Sequence, residues 1–239
     1  MPTILLFDID GTLVLTGGAG HRAMVGAFRR VHGKDDIFEG VSFAGMTDRA
    51  ILRHGLHRVP AMAAVAASTT MPDEHIETVL EVYLELLETE LDRAHAHYRI
   101  LPGVGALLES LVGTPDVAIG LGTGNVRRGA HAKLARGALD GAFTFGGYGC
   151  DAEDRTELLL TGARRGADLL GAPLADCRVV VIGDTPKDVA AAKGIGAPCI
   201  GVGTGGFTVA DLQACGAHRV FATLAEDGVR DALFSANNG

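Results

Sequence analysis

The chain has 239 residues, 47% of them hydrophobic, enough to bury a substantial core in one large domain or two modest ones. A formal net charge of −8 and a sequence pI near 5.5 exclude the clustered lysines and arginines of a nucleic-acid surface, while a small anion needs only a local positive spot. Cys150, Cys177, Cys199 and Cys215 are widely spaced with no C-x-x-C pair, which argues against a zinc ribbon or a disulfide framework and suits reduced thiols. The amino terminus has no basic stretch before an apolar core, and no apolar run reaches the roughly 20 residues of a membrane helix. The expected setting is cytoplasmic, with no membrane and no nucleic-acid partner.

In chain order, the first apolar run, Ile4 to Phe7, leads into Asp8-Ile9-Asp10-Gly11-Thr12. Side chains of an extended strand repeat every second residue, so Asp8 and Asp10 begin on one side, and Gly11 lets the backbone bend away behind them. Two acids aimed at one point repel each other unless a cation or a shared proton compensates. From residue 16 to residue 100 the spacing becomes helical. Helices are predicted over Gly20 to Val31 and Asp48 to Leu56, with Thr47 as an N-cap. Ile76, Val79, Leu80, Tyr83, Leu84 and Leu87 form a further amphipathic stripe. Gly17-Gly18 on entry and Leu101-Pro102-Gly103 on exit bound this insert; such joints let two segments hinge, and a lid over the Asp8 site is expected.

Beyond residue 101, short uninterrupted apolar runs alternate with helical patterns. The strands are Val117 to Leu121, Phe143 to Phe145, Val179 to Ile182, Cys199 to Val202 and Arg219 to Phe221; the helices are Val104 to Leu111, Asn125 to Leu134 and Glu157 to Leu170. Uninterrupted runs suit a parallel sheet buried on both faces. The expected fold is a doubly wound α/β core of residues 1–15 and 101–239, interrupted by an all-helical domain of residues 16–100.

A second acidic cluster, Gly183-Asp184-Thr185-Pro186-Lys187-Asp188, follows the Val179 strand. Pro186 suits the first turn of a helix, which puts Asp184 at the strand tip and Asp188 one turn further on. Ligands of open parallel sheets bind beyond the carboxyl ends of strands, so Asp8, Asp10, Asp184 and Asp188 become candidates for one site. All-oxygen ligands select a hard cation, and Mg²⁺ is expected because it retains waters and works with phosphate. At Gly122-Thr123-Gly124-Asn125, free N–H groups at a helix start and the Thr123 hydroxyl could hold a phosphoryl oxygen.

These motifs, in this order, resemble those of a haloacid dehalogenase (HAD) superfamily phosphatase, similar to the phosphoglycolate phosphatase group, over essentially the whole chain. The resemblance implies a Rossmann-like core with an alpha-helical cap. It also implies Asp8 as a nucleophile forming an aspartyl-phosphate, and Asp10 as the acid that protonates the leaving alcohol and then activates water. Gly11, Thr12, Gly124 and Asn125 would surround the phosphoryl group that Thr123 holds. Mg²⁺ would be bound by the Asp8 carboxylate, the Asp10 carbonyl and Asp184, with Asp188 helping. The implied substrate is a small phosphorylated metabolite, phosphoglycolate or a sugar phosphate. A mutase of the β-phosphoglucomutase kind or a non-catalytic binding relative are the alternatives. Asp10 argues against a dehalogenase or phosphonate hydrolase, which do without that proton donor.

One departure stands out. The family's lysine between the hydroxyl and final acidic motifs is missing, since no lysine occurs from Leu134 to Pro186. Arg155 is the expected substitute, against a helix-start ion pair with Glu153 or Asp154. Lys133 is the reserve, although His131-Ala132-Lys133-Leu134 reads as an exposed helix position. Arg49 is a candidate reader of an anionic group on the alcohol. His95 and His97 read as a solvated turn, His21 as helix surface with substrate contact the alternative, and Gly203-Thr204-Gly205-Gly206 as a tight exit loop. Oligomeric state is unreadable.

Overall fold

The computed structural model describes residues 1–62 and 72–235. Its centre is a six-stranded sheet in the order β5-β4-β1-β6-β7-β8, every neighbouring pair parallel. The strands are β1 (Thr3–Phe7), β4 (Val117–Gly122), β5 (Gly146–Gly147), β6 (Arg178–Gly183), β7 (Cys199–Val202) and β8 (Arg219–Phe221). Period-two alternation splits β1 between two cores: Leu5 and Phe7 pack on one face, Ile4 and Leu6 on the other. Both faces are covered, as uninterrupted apolar strands require. The expected Phe143 strand is displaced. Phe143 to Phe145 lead into the sheet, and the two-residue β5 that follows them does the pairing, apart from the Phe145 carbonyl, which accepts from Leu121 N at 3.1 Å.

Among the described residues, the insert's helices are α1 (Ala19–His32), α2 (Asp48–Arg58) and α3 (Asp73–Arg93). All six stripe residues from Ile76 to Leu87 are buried, and Thr47 caps α2 by accepting from Ala50 N. These helices share one hydrophobic cluster drawn from residues 19–94, to which the core contributes Val126. A small antiparallel ribbon, β2 (Val14–Leu15) with β3 (Arg99–Ile100), ties the entry and exit strands side by side. The remaining helices are α4 (Val104–Leu111), α5 (Arg127–Ala135), α6 (Arg155–Leu170), α7 (Pro186–Gly194), α8 (Val209–Ala214) and α9 (Val229–Phe234). All four cysteines are free, and no described helix is long and apolar enough to cross a membrane.

Candidate active site

Strand register explains why distant acids meet. β1 pairs with β6 so that Phe7 faces Ile182, and with β4 so that Phe7 faces Leu121. The residues just past Phe7 and Ile182 therefore emerge at one rim, and Asp8 N donates to Ile182 O at 2.9 Å. Asp8, Asp184 and Asp188 are all buried, with one carboxylate oxygen of each lying within 4.8 Å of the others. Asp184 is wedged between two backbones. A Cβ at Gly11, whose φ is +85°, or at Gly205 would collide with its carboxylate. Thr12 donates its hydroxyl to Asp184 Oδ1 at 3.0 Å.

Asp188 opens α7 in a capping box: its Oδ2 accepts from Thr185 N at 3.0 Å and from Thr185 Oγ1 at 2.7 Å. Its Oδ1 makes an ion pair with Arg155 but no hydrogen bond. The Arg155 guanidinium also sits 3.1 Å from Asp8 Oδ2, so it bridges two of the three acids. Glu153, the alternative partner, is taken by the insert: Arg53 Nη2 lies 2.7 Å from it, and Arg49 lies nearby.

The electrostatics follow from burial. Desolvation, only partly offset by Arg155, pushes the Asp8 carboxyl up to about 6. Burial together with the charges of Asp8 and Asp188 pushes Asp184 up to about 8. Three crowded buried carboxylates suit a hard divalent cation, whose charge would favour their ionised forms. The donor set therefore fits the expected metal. The Asp10 carboxylate does not join this trio.

Asp10 instead faces the other way, and here the sequence reading needs correcting. Lys133 is not an exposed helix position: it is 4% exposed, with Nζ 2.6 Å from Asp10 Oδ2 and 2.6 Å from Asn125 Oδ1. Burial alone would lower its proton affinity, but Asp10 and Asp48 raise it overall. A signal existed. Val126, Ala130 and Lys133 follow the i, i+4, i+7 spacing of a buried helix face. Asn125 Nδ2 in turn donates to Asp10 Oδ2 and to Thr123 Oγ1, both at 2.9 Å.

The insert closes over this rim. Asp48, at the start of α2, accepts from Val126 N at 2.9 Å through Oδ2 and contacts the Tyr83 hydroxyl at 3.5 Å through Oδ1. Its own N–H donates to Gly124 O at 2.8 Å. Burial, opposed by Lys133, pushes its carboxyl up to about 6. Between insert and core lies a cavity of about 340 Å³. Asp8, Asp10, Gly11, Gly124, Asn125, Arg155 and Asp184 line it; Thr12, Thr123, Asp188 and Arg49 do not. Thr123 is fully buried, and Arg49 is spent on Asp73 and Glu77. Sequence reasoning held Lys133 only in reserve and substrate contact by His21 only as an alternative, and it missed Asp48 and Tyr83 as lining residues. It also missed Gly205 and Gly206, since the loop read as a plain exit turn reaches the cavity and Thr204 donates to Gly11 O at 2.6 Å.

A family model described as HAD-hydrolase-like matches residues 157–227. A hydrolase from Pseudomonas syringae superposes with a TM-score of 0.65 at 22% identity, over 99% of this chain and 100% of its own. CbbY from Rhodobacter sphaeroides, solved in complex with phosphate, gives 0.66 at 19%, over 98% and 100%. A predicted phosphoglycolate phosphatase from Haemophilus somnus gives 0.63 at 15%, over 94% and 95%. No curated protein matches the chain by sequence. The fold matches that of these solved hydrolases, and the carboxyl-terminal segment is similar to the haloacid dehalogenase-like hydrolase family.

Proposed function

We propose that the protein is a Mg²⁺-dependent phosphomonoester hydrolase of the cytoplasm, acting on a small phosphorylated metabolite through an aspartyl-phosphate. Residues 1–15 and 101–239 would form the catalytic core and residues 16–100 its cap. The observation that carries this reading is the buried Asp8, Asp184 and Asp188 trio at one sheet rim, bridged by Arg155 and opening into a cavity.

Asp8 is the nucleophile. Its carboxylate forms a bond to phosphorus as the bond from phosphorus to the ester oxygen breaks, and Asp10 delivers the proton that the departing alcohol needs. Asp10 then takes a proton from water, which attacks the aspartyl-phosphate, releasing phosphate and restoring Asp8. Lys133 and Asn125 both grip Oδ2 of Asp10, which leaves Oδ1 as the atom that exchanges the proton. Thr123 orients Asn125, whose side chain it holds from below. Arg155 aims Asp8 and clamps a phosphoryl oxygen. A bound divalent cation, held by Asp8 and Asp184 with Asp188 behind them, would offset charge on the transferring group. The test is turnover of a generic phosphate ester with and without Mg²⁺ in wild type and Asp8→Asn. Turnover that survives the substitution refutes the nucleophile, and no turnover of any ester refutes the phosphatase reading.

A further inference from the structure

The helical wall of the cavity carries a statement about the alcohol half of the substrate, one that rests on the phosphatase reading above. With the phosphoryl group at Asp8, the alcohol extends toward Met24, Phe43, Met46, Ile51 and Tyr83, which line the opposite side. Among the described residues, the insert contributes no lysine or arginine to that lining; its one imidazole there, His21, stacks on Phe43 with ring centroids 4.8 Å apart. Arg49, the obvious reader of an anion, lies outside it and is paired with Asp73 and Glu77. The two cations that do line the cavity come from the core and are already neutralised, Lys133 by Asp10 and Arg155 by Asp8 and Asp188.

The Asp48 and Asn125 side chains beside this wall are also already satisfied. Asp48 is held by Val126 N and Tyr83, and the Asn125 side chain by Asp10, Thr123 and Lys133. A carboxylate on the alcohol would lose its water against apolar side chains and face Asp48 and Asp10, so it is disfavoured twice. A polyol would bury several hydroxyls for which this wall offers few partners beyond His21 and Thr16. We infer that the preferred substrate is a phosphate monoester of an uncharged, mainly apolar alcohol, aryl-alkyl or branched alkyl in kind, in place of the phosphoglycolate or sugar phosphate suggested by resemblance.

Three esters of primary alcohols decide it: phenethyl phosphate, phosphoglycolate and a hexose monophosphate. The expected kcat/KM is at least about tenfold higher for phenethyl phosphate than for either of the others. Equal or reversed values overturn the inference. Calorimetric binding of the same three esters to Asp8→Asn, which leaves the helical wall intact, should give the same ranking without turnover. If wild type hydrolyses neither these nor a generic phosphate ester, the phosphatase reading fails, while the binding ranking still upholds or overturns the apolar wall. Met46→Arg, a half-buried position on that wall, should shift preference toward phosphoglycolate by about tenfold; an unchanged ratio in the folded variant counts against the inference.

Discussion

The two sides of the cavity are built on opposite principles. On the core side, side chains within bonding distance of one another are charged or polar and interlocked: Arg155 with Asp8 and Asp188, Lys133 with Asp10 and Asn125, Thr12 with Asp184. On the insert side the wall is mainly methionine, isoleucine and aromatic rings, with Asp48 and His21 as its titratable members, and is continuous with a hydrophobic cluster drawn from residues 19–94. Core positions are therefore intolerant of single changes, because each removal strands a buried partner. Insert positions shape what fits and tolerate substitution of similar volume.

The sharpest way to break this contrast is Asp8→Asn, for which we expect turnover to fall by roughly four orders of magnitude with circular dichroism unchanged. Residual activity near wild type would remove Asp8 from the chemistry. Next is Arg155→Met, which leaves Asp8 and Asp188 unpaired and should destabilise the fold by about 3–5 kcal/mol, read by urea unfolding. Arg155→Lys should recover part of that loss, and equal stability of the two variants would argue against a charge role.

Lys133→Met should lower kcat by on the order of a hundredfold with a smaller change in KM, since it frees Asp10 without touching the helical wall. A change confined to KM would instead assign Lys133 to substrate binding. Asp48 offers a subtler probe. Its folded carboxyl titrates near 6 against an ordinary 3.8, so its stabilising contribution is complete below the ordinary value and is lost as pH rises through the folded one. Wild type should therefore gain on Asp48→Asn by on the order of 2 kcal/mol between about pH 7 and about pH 4. A Tm difference flat with pH contradicts this. Smallest is Arg53→Ala, which breaks a partly exposed pair with Glu153 joining insert to core; less than about 1 kcal/mol is expected, and a larger loss would mark that pair as a latch.

Much of this was legible in the sequence for stated physical reasons. Uninterrupted apolar runs, the Thr47 and Pro186 helix starts and the Ile76 to Leu87 stripe are local signals, and local sterics and hydrogen bonding suffice to decode them. Two acidic motifs at strand ends likewise pointed to one rim, because parallel strands share a carboxyl edge. What tertiary structure alone decided is how charges pair across long separations. Lys133 meets Asp10, Asp48 of the insert meets Val126 of the core, and Arg49 turns to Asp73 and Glu77 and away from the cavity. No local pattern encodes such partners. A buried charge is placed by whichever opposite charge the packing brings within reach, and that depends on the closure of the insert over the sheet.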